Sequence, residues 1–255
     1  MLSADSIPNV ESDRPKTPQA LFDRVAPYYD AMNSVLSLGM DRRWRRVAAT
    51  SLHLRPGARV LDVATGTGAL ATAIVRATEG SVSVTGCDVN DHMLSVAKAR
   101  TLRTDAPVAW VRGDATHLPF AGETFDAVTI GFAIDDMPDR DACVREMLRV
   151  LRPEGRLLLL ELGQPEAGLP RALFRLYLRV FRVLSAGYRH LEKEILGDRG
   201  ADAIEGLLRR SGFARYARRN LSWGIARLHT AEKPSGAGTP SVRLPGASSD
   251  GEGLP

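Results

Sequence analysis

The sequence has little cysteine, no long apolar run and no strong excess of charge, and each shortage excludes a class of protein. Only Cys87 and Cys143 occur in 255 residues, both within apolar patterns, so we expect reduced, buried thiols in a cytosolic protein and no metal site. No run approaches the roughly 20 apolar residues that a membrane span requires. The polar, proline-containing N-terminus does not look like a signal peptide. A net charge of +4 does not favour general nucleic-acid binding.

The composition predicts one globular domain between two polar tails. Residues 1–17 are polar, and residues 232–255 are rich in Gly, Ser and Pro, so we expect both segments to be disordered. The remaining residues, 18–231, are enough for a single α/β domain with a buried core. Basic residues concentrate late in the chain, because residues 171–227 contain eight more Lys and Arg than Asp and Glu.

Strand-like and helix-like patterns alternate along this domain. We predict helices at 18–29, 41–51, 70–77, 91–100 (with Asp91 as N-cap) and 139–151, and a helical lid at 170–211. The predicted strands are 59–63, 81–87, 108–111, 125–131, 156–162, about 214–220 and about 223–230. Alternation of this kind indicates a doubly wound, mainly parallel seven-stranded sheet. The last two strands have no helix between them, so they predict a C-terminal antiparallel hairpin.

The segment 60–71 (VLDVATGTGALA) is the most informative part of the chain. Asp62 lies within its strand, Gly66 and Gly68 form the turn after it, and the next strand is followed by Asp88, about 20 residues on. This arrangement is typical of a nucleotide-cofactor half-site, in which glycines let the backbone approach the ligand and the acid binds the ribose hydroxyls. The turn alone is compatible with NAD and with S-adenosylmethionine.

Three features favour S-adenosylmethionine over NAD. Asp62 can reach a positive group above the turn, such as a sulfonium, and Thr65 and Thr67 supply hydroxyls beside the glycines. The predicted terminal hairpin is also unusual for NAD-binding folds, which continue as βαβ units. An NAD(P)-dependent oxidoreductase is therefore a less favoured alternative.

Four segments resemble one known family. They are 29–39 (YDAMNSVLSLG), the turn at 60–71, the stretch from 113–120 (GDATHLPF) to 145–155 (REMLRVLRPEG), and 188–191 (YRHL). Over about residues 18–230 the chain resembles the ubiquinone/menaquinone biosynthesis C-methyltransferases. The resemblance implies a Rossmann-like class I fold, S-adenosylmethionine as cofactor, and methylation of a demethylmenaquinol or polyprenyl benzoquinol.

The resemblance also implies site residues. In the family, cofactor contacts fall on positions that match Thr67, Asp88, Asp114 and Ala115. We predict a cofactor site made of these four and of Asp62, Thr65, Gly66, Gly68 and Gly131. We predict substrate contacts from Tyr29, Met32, Asn33, Phe132 and Arg189. Taken alone, Asp114 could also simply cap the turn before Leu118.

One loop departs from the family pattern. The family typically has Phe-Gly-(Ile/Leu)-Arg-Asn-Val after the fourth strand, and this chain has FAIDDM at 132–137, which reverses the local charge. Removal of a proton from an acceptor hydroxyl requires a base, and the candidates are Asp135 and Asp136, then His190, with Tyr188 as an orienting hydroxyl. The two aspartates could instead only form the turn before Pro138. The altered loop leaves open another phenolic or secondary-metabolite acceptor, or an accessory subunit that binds the cofactor without catalysis.

Arginines recur with helical spacing in residues 171–184, on an otherwise apolar segment. One interpretation is a lid helix with a solvated face. The other is an interfacial helix that contacts anionic lipid, which would place a cytoplasmic enzyme at the inner face of the membrane. A homodimer is a further expectation.

Overall fold

The computed structural model describes residues 34, 37–102, 107–165, 168, 171–175 and 201–235. The predicted N-terminal tail, the predicted helix at 18–29, most of the predicted lid and the predicted C-terminal tail beyond residue 235 lie outside these residues. The predicted start of the C-terminal tail at 232 is wrong, because a strand runs to Glu232 and Lys233 exchanges backbone hydrogen bonds with Glu154 and Gly155. Of the lid, residues 171–175 and 201–210 are helical. Among the described residues no helix is long and apolar enough to cross a membrane.

Besides the helical residues 171–175, seven strands and five helices follow one another in the described residues, with two short 3-10 turns at Ile134–Asp136 and Ser222–Gly224. The strands are β1 (Arg59–Val63), β2 (Ser83–Asp88), β3 (Val108–Arg112), β4 (Phe125–Gly131), β5 (Leu151–Leu162), β6 (Ala214–Leu221) and β7 (Ala226–Glu232). The helices are α1 (Met40–Ser51), α2 (Ala69–Ala77), α3 (Asp91–Leu102), α4 (Arg140–Val150) and α5 (Ala201–Arg210).

The strands form one sheet in the order β3-β2-β1-β4-β5-β7-β6. The first five are parallel, whereas β7 pairs antiparallel with both β5 and β6. The predicted fold class is therefore confirmed, including the closing antiparallel pair. Strand order reverses between β1 and β4, and ligands of such sheets bind beyond the carboxyl ends of the strands at that point.

Apolar residues cover both faces of the sheet. Successive residues of β5 alternate between the two faces, so that Leu157 and Leu159 pack with α4 and α5 while Leu158 and Leu160 pack with α1 and α2. All four are fully buried. A strand buried on both faces has a continuous apolar sequence, which explains the run that ends at Leu160.

Two predicted boundaries are wrong for identifiable reasons. Asp91 does not cap α3, because the side chain of Asn90 accepts a hydrogen bond from the Met93 N–H and Asp91 is the first helical residue. Strand β5 begins at Leu151 and not at residue 156, because Leu151 already pairs with Phe125 across a bulge. The predicted cap at Asp139 is confirmed, since its side chain accepts from the Ala142 N–H at 2.8 Å.

Both cysteines are buried free thiols, as predicted. Burial raises the pKa of the Cys87 thiol to about 12 and that of the Cys143 thiol to about 11, with nearby carboxylates adding to both shifts. The thiolate forms are therefore strongly disfavoured at neutral pH.

Candidate active site

The predicted cofactor residues lie at the carboxyl ends of β1, β2 and β3, which we call the cofactor half of the sheet. Asp62 belongs to β1, Asp88 ends β2, and Asp114 follows β3. Because these strands are adjacent and parallel, the three carboxylates lie along one edge of the sheet. The structure thus brings together the acids that the sequence pattern selected.

The turn after β1 adopts the backbone that its glycines predict. Gly66 and Gly68 have φ angles of +55° and +73°, in the left-handed region that favours glycine. A Cβ atom at Gly66 would meet nothing within 4 Å, so space is open beside this residue. A Cβ atom at Gly68 would lie 2.3 Å from a ring carbon of Trp110, so Gly68 is also required for packing.

Asp62 holds this turn from within the protein. Its carboxylate accepts hydrogen bonds from the hydroxyls of Thr65 and Thr129, both at 2.6 Å, and Asp62 is only 1% exposed. Burial raises its pKa to about 6 against the opposite effect of the two hydroxyls. The carboxylate therefore fixes the position of Thr65 at the start of the turn.

Asp88 links the second strand to the same turn. One of its oxygens accepts from the Gly66 N–H at 2.7 Å, and the other accepts from the Asn90 N–H at 2.9 Å. Burial raises the pKa of this carboxyl. The side chain of Thr67 is buried, and its hydroxyl accepts from the Arg100 guanidinium at 3.4 Å.

Asp114 and Ala115 follow β3 on the outer side of this edge. One oxygen of Asp114 accepts from both the N–H and the hydroxyl of Thr116, each at 2.8 Å, and these bonds lower its pKa. Asp114 thus caps its turn, while its side chain stays exposed and Ala115 is half-buried. Capping occupies one oxygen and is compatible with a ligand at this side chain.

The carboxyl ends of β4 and β5, which we call the acceptor half, have a different character. Gly131 ends β4, and Phe132 follows it with a φ angle of +58°. The Phe132 ring lies 6.3 Å from the Trp44 ring, and the Arg45 guanidinium lies 5.2 Å from its centroid. Phe132 therefore packs against α1 directly after the carboxyl end of β4.

Asp135 and Asp136 lie in the 3-10 turn that follows, and both are exposed. Asp135 forms an ion pair of 2.8 Å with Arg140, which also donates to its backbone carbonyl. The Asp136 N–H donates to the Ala133 carbonyl and closes the turn. Asp135 and Asp136 therefore form a turn, as the alternative to a catalytic role predicted. Their carboxylates lie in the loop directly after β4.

Sequence reasoning missed one acid of the acceptor half, Glu161 in β5. This residue is 6% exposed, and its Oε1 atom has no hydrogen-bond partner among the described residues. Burial, followed by the charge of Asp135, raises its pKa well above the ordinary value. The signal that could have revealed it is an acid directly after the apolar run of β5, where a buried position is expected.

Six predicted site residues lie outside the described residues, and their predictions stand untested: Tyr29, Met32, Asn33, Tyr188, Arg189 and His190. Within the described ranges no group of three or more His, Cys, Asp or Glu side chains is arranged to hold a metal ion.

Comparison with known proteins gives concordant results. The model of the ubiE/COQ5 methyltransferase family matches residues 10–233. A demethylmenaquinone methyltransferase of Beutenbergia cavernae is 40% identical over 236 residues, which cover 89% of this chain and 95% of that protein. A ubiquinone/menaquinone biosynthesis C-methyltransferase of Geotalea daltonii is 35% identical over 224 residues, covering 84% and 95% of the two chains.

Solved structures show the same fold at lower identity. One is a protein of Methanococcus maripaludis that is provisionally described as an S-adenosylmethionine-dependent methyltransferase. Its structure has a TM-score of 0.65 at 16% identity, and the match covers 88% of this chain and 97% of that chain. The [4+2]-cyclase SpnF has a TM-score of 0.64 at 20% identity and covers 86% and 97%. These likenesses establish the fold alone.

Proposed function

The chain belongs to the ubiE/COQ5 methyltransferase family, and we propose that its methyl acceptor is a demethylmenaquinol or a related polyprenyl benzoquinol. Family membership confirms the predicted enzyme class and cofactor: the protein is an S-adenosylmethionine-dependent methyltransferase. An oxidoreductase and a non-catalytic accessory subunit are set aside on the same ground.

The cofactor half suits S-adenosylmethionine, which supplies an activated methyl group when bound. Open space beside Gly66 admits a ligand close to the backbone. We assign the amino-acid moiety to the turn formed by Thr65, Gly66, Thr67 and Gly68, with Asp62 fixing that turn. Asp88 would bind the ribose hydroxyls, Asp114 the adenine amino group, and Ala115 would leave room beside the ring. Gly131 lies across the switch point, where a small residue leaves the methyl group accessible.

The acceptor half suits an aromatic ring with a hydroxyl group. The Phe132 side chain offers an apolar face, and the carboxylates of Asp135 and Asp136 lie at the rim as candidate bases. Tyr29, Met32, Asn33 and Arg189 as substrate contacts, and Tyr188 and His190 as catalytic groups, remain part of the proposal. In-line methyl transfer depends mainly on holding donor and acceptor in alignment, which the cofactor half and the acceptor half would provide together.

The observation that carries the acceptor assignment is the 40% identity to a relative named for demethylmenaquinone, over 95% of that relative. The test is expression of the chain in a bacterial strain that lacks its quinone C-methyltransferase, with quinones measured by mass spectrometry. We expect the demethylated quinone to gain the mass of one methyl group. Unchanged demethylated quinone, with the chain expressed and folded, would contradict the assignment.

The charge reversal at Asp135 and Asp136 favours one second candidate, a phenolic acceptor that is not a prenylated quinol. Two exposed carboxylates at the rim would suit an acceptor that carries hydrogen-bond donors there. Assay of the purified protein with unprenylated hydroxylated aromatics separates the candidates, since turnover of these alone would favour the second.

We further propose peripheral contact with the inner face of the membrane through residues 171–184, and a homodimer. Of this segment residues 171–175 are described as helical; Leu173 is 56% exposed, and Arg175, two residues further on, is exposed as well. An apolar and a basic side chain together suit an anionic lipid surface. Cosedimentation with anionic but not with neutral vesicles would support the contact, and no cosedimentation with either would refute it. Light scattering at micromolar concentration tests the dimer.

A further inference from the structure

Glu161 is a buried carboxyl whose hydrogen-bonding capacity the fold does not use. It lies near the end of β5 at the carboxyl edge of the sheet, on the acceptor side of the switch point. Glu161 is 6% exposed, and within the part of the chain that the structure describes its Oε1 atom has no hydrogen-bond partner. Leaving a buried acceptor unpaired costs free energy, so such an atom in an active-site half requires an explanation.

The groups around Glu161 come from three elements. The N–H groups of Ile134 and Ala133 in the 3-10 turn favour its charged form, whereas the charges of Asp135 and Asp136 oppose it. Arg140 of α4 is held in the ion pair with Asp135. Arg227 is opposite Glu161 in the β5–β7 register, and its guanidinium donates to the Gln164 carbonyl. The carboxyl is thus enclosed by the same turn that lines the acceptor half.

We propose that Oε1 of Glu161 is the atom that takes the hydroxyl proton of the methyl acceptor. This assignment rests on the proposed function, because it requires an acceptor with a ring hydroxyl. Asp135 and Asp136 then act on Glu161 through their charge and are not the base themselves. Asp135 and Asp136 differ from Glu161 because both are exposed and because Asp135 forms an ion pair with Arg140.

Burial is an advantage for this role. An ionised carboxylate whose pKa is raised is a stronger base than an exposed carboxylate of ordinary pKa. Burial raises the pKa of Glu161, and the Asp135 charge raises it further. A buried base also excludes water from the developing phenolate, so proton transfer occurs directly to the side chain.

The proton and electron balance is simple. The acceptor O–H bond breaks as the Oε1–H bond forms, and the electron-rich ring carbon then forms a bond to the methyl carbon while the sulfur–methyl bond breaks and its electron pair stays on sulfur. The proton on the methylated ring carbon then leaves to water, and Glu161 returns its proton to the ring oxygen. One proton is released for each methyl group transferred.

The test is Glu161→Gln in the full chain, assayed with a short-chain demethylmenaquinol. We expect kcat to fall by roughly 10²- to 10⁴-fold, the range for loss of a general base. The acceptor KM and the affinity for S-adenosylmethionine measured by calorimetry should be nearly unchanged. Glu154→Gln is the matched control, because Glu154 is an exposed acid on the same strand and should leave kcat unchanged.

The stability of the Glu161→Gln variant distinguishes a catalytic role for Glu161 from a structural one. Because the native carboxyl has a raised pKa, its ionisation destabilises the fold as pH rises, so the Gln variant should be as stable as wild type, or more so, at neutral pH. Loss of both stability and kcat would overturn the assignment in favour of a structural role.

Asp135→Asn provides a second test that does not remove Glu161. Loss of this negative charge lowers the pKa of Glu161, so the rise of kcat with pH should move to lower pH. Near-complete loss of activity at every pH would instead identify Asp135 as the base.

The outcomes separate this inference from the proposed function. If wild type methylates the quinol and Glu161→Gln does so equally well, the Glu161 assignment is wrong and the proposed function stands. If wild type methylates no quinol, the proposed function is wrong, and the Glu161 assignment is overturned with it.

Discussion

The cofactor half and the acceptor half of the sheet edge both hold carboxylates, but they satisfy them differently. In the cofactor half, Asp62 accepts from two hydroxyls and Asp88 from two backbone N–H groups. In the acceptor half, Glu161 has an oxygen with no partner and Asp135 is exposed. Asp62 and Asp88 are thus hydrogen-bonded by the protein alone, whereas Glu161 keeps one oxygen that no described group satisfies and that a reacting molecule could use.

Backbone conformation is not what separates the halves. A non-glycine residue with positive φ directly follows the strand in each, Ala64 at +49° after β1 and Phe132 at +58° after β4. Such residues are uncommon and cost free energy, which the surrounding structure must offset. The difference between the halves therefore lies in their side-chain chemistry.

The largest effect should come from Asp62→Asn in the cofactor half. The native pKa of about 6 exceeds the ordinary 3.8, so the native state keeps its proton longer and wild type loses stability as pH rises from about 4 to about 6. At about 1.4 kcal/mol per pKa unit the loss is about 3 kcal/mol. Asn does not titrate, so the variant does not lose this stability. The free energy of unfolding of the variant minus that of wild type should therefore rise by about 3 kcal/mol as pH rises from about 4 to about 6. Urea denaturation between pH 4 and pH 7 measures it.

Asp126→Asn is the control with the opposite sign. Burial raises the pKa of Asp126, but hydrogen bonds from the Arg59 N–H and from Arg152, with the charges of both arginines, lower it on balance. Wild type therefore loses stability as pH falls below the ordinary 3.8 and through that lowered pKa, and the variant does not, so urea denaturation of this pair is extended below pH 4. A flat difference for Asp62→Asn between pH 4 and pH 7 would show that its carboxyl is not perturbed.

Gly86→Ala should have the next largest effect. A Cβ atom at this buried position in β2 would lie 2.3 Å from a ring carbon of Trp110, which also packs against Gly68 in the turn. We expect a loss of about 1–3 kcal/mol in the free energy of unfolding, typical of overpacking, together with weaker binding of S-adenosylmethionine. Denaturation and calorimetry measure the two quantities.

Gly206→Ala is the matched glycine control outside both halves. Its nearest atom is the end of the flexible Arg210 side chain at 3.3 Å, and Gly206 lies inside α5. Alanine in a helix interior should stabilise the fold by about 0.5–1 kcal/mol. Equal destabilisation by both substitutions would contradict a specific Trp110 contact.

Phe132→Leu should produce the smallest effect and confine it to the acceptor half. Loss of the aromatic face should lower kcat/KM for the acceptor by about 2- to 12-fold, since such contacts contribute about 0.5–1.5 kcal/mol, with unchanged affinity for the cofactor. Phe120→Leu is the control, because Phe120 packs against Phe125 at the opposite end of β4. A matching change in cofactor affinity for Phe132→Leu would show that the halves are not separable.

Local pattern was sufficient for the cofactor half and insufficient for the acceptor half. The turn glycines, Asp88 and the bounds of β1 and β4 follow from residue types over short stretches. The Thr129–Asp62 bond joins residues 67 apart, and the Trp44–Ser222 bond joins residues 178 apart. Such contacts depend on sheet order, so the proximity of Glu161 to the Asp135 charge was not accessible from sequence, although the apolar run of β5 indicated a buried position there. Asp91 was mistaken for a cap because Asn90 beside it has the same capacity.

The buried thiols have a consequence for the chemistry of the proposed substrate. Quinols oxidise to quinones, which are electrophiles that add to thiolates and form covalent adducts. Only two cysteines occur in the chain; Cys87 is 1% exposed and Cys143 is 0% exposed. With pKa values of about 12 and about 11, neither is a nucleophile at neutral pH. A quinone formed from the proposed acceptor would thus meet no reactive thiol in this chain.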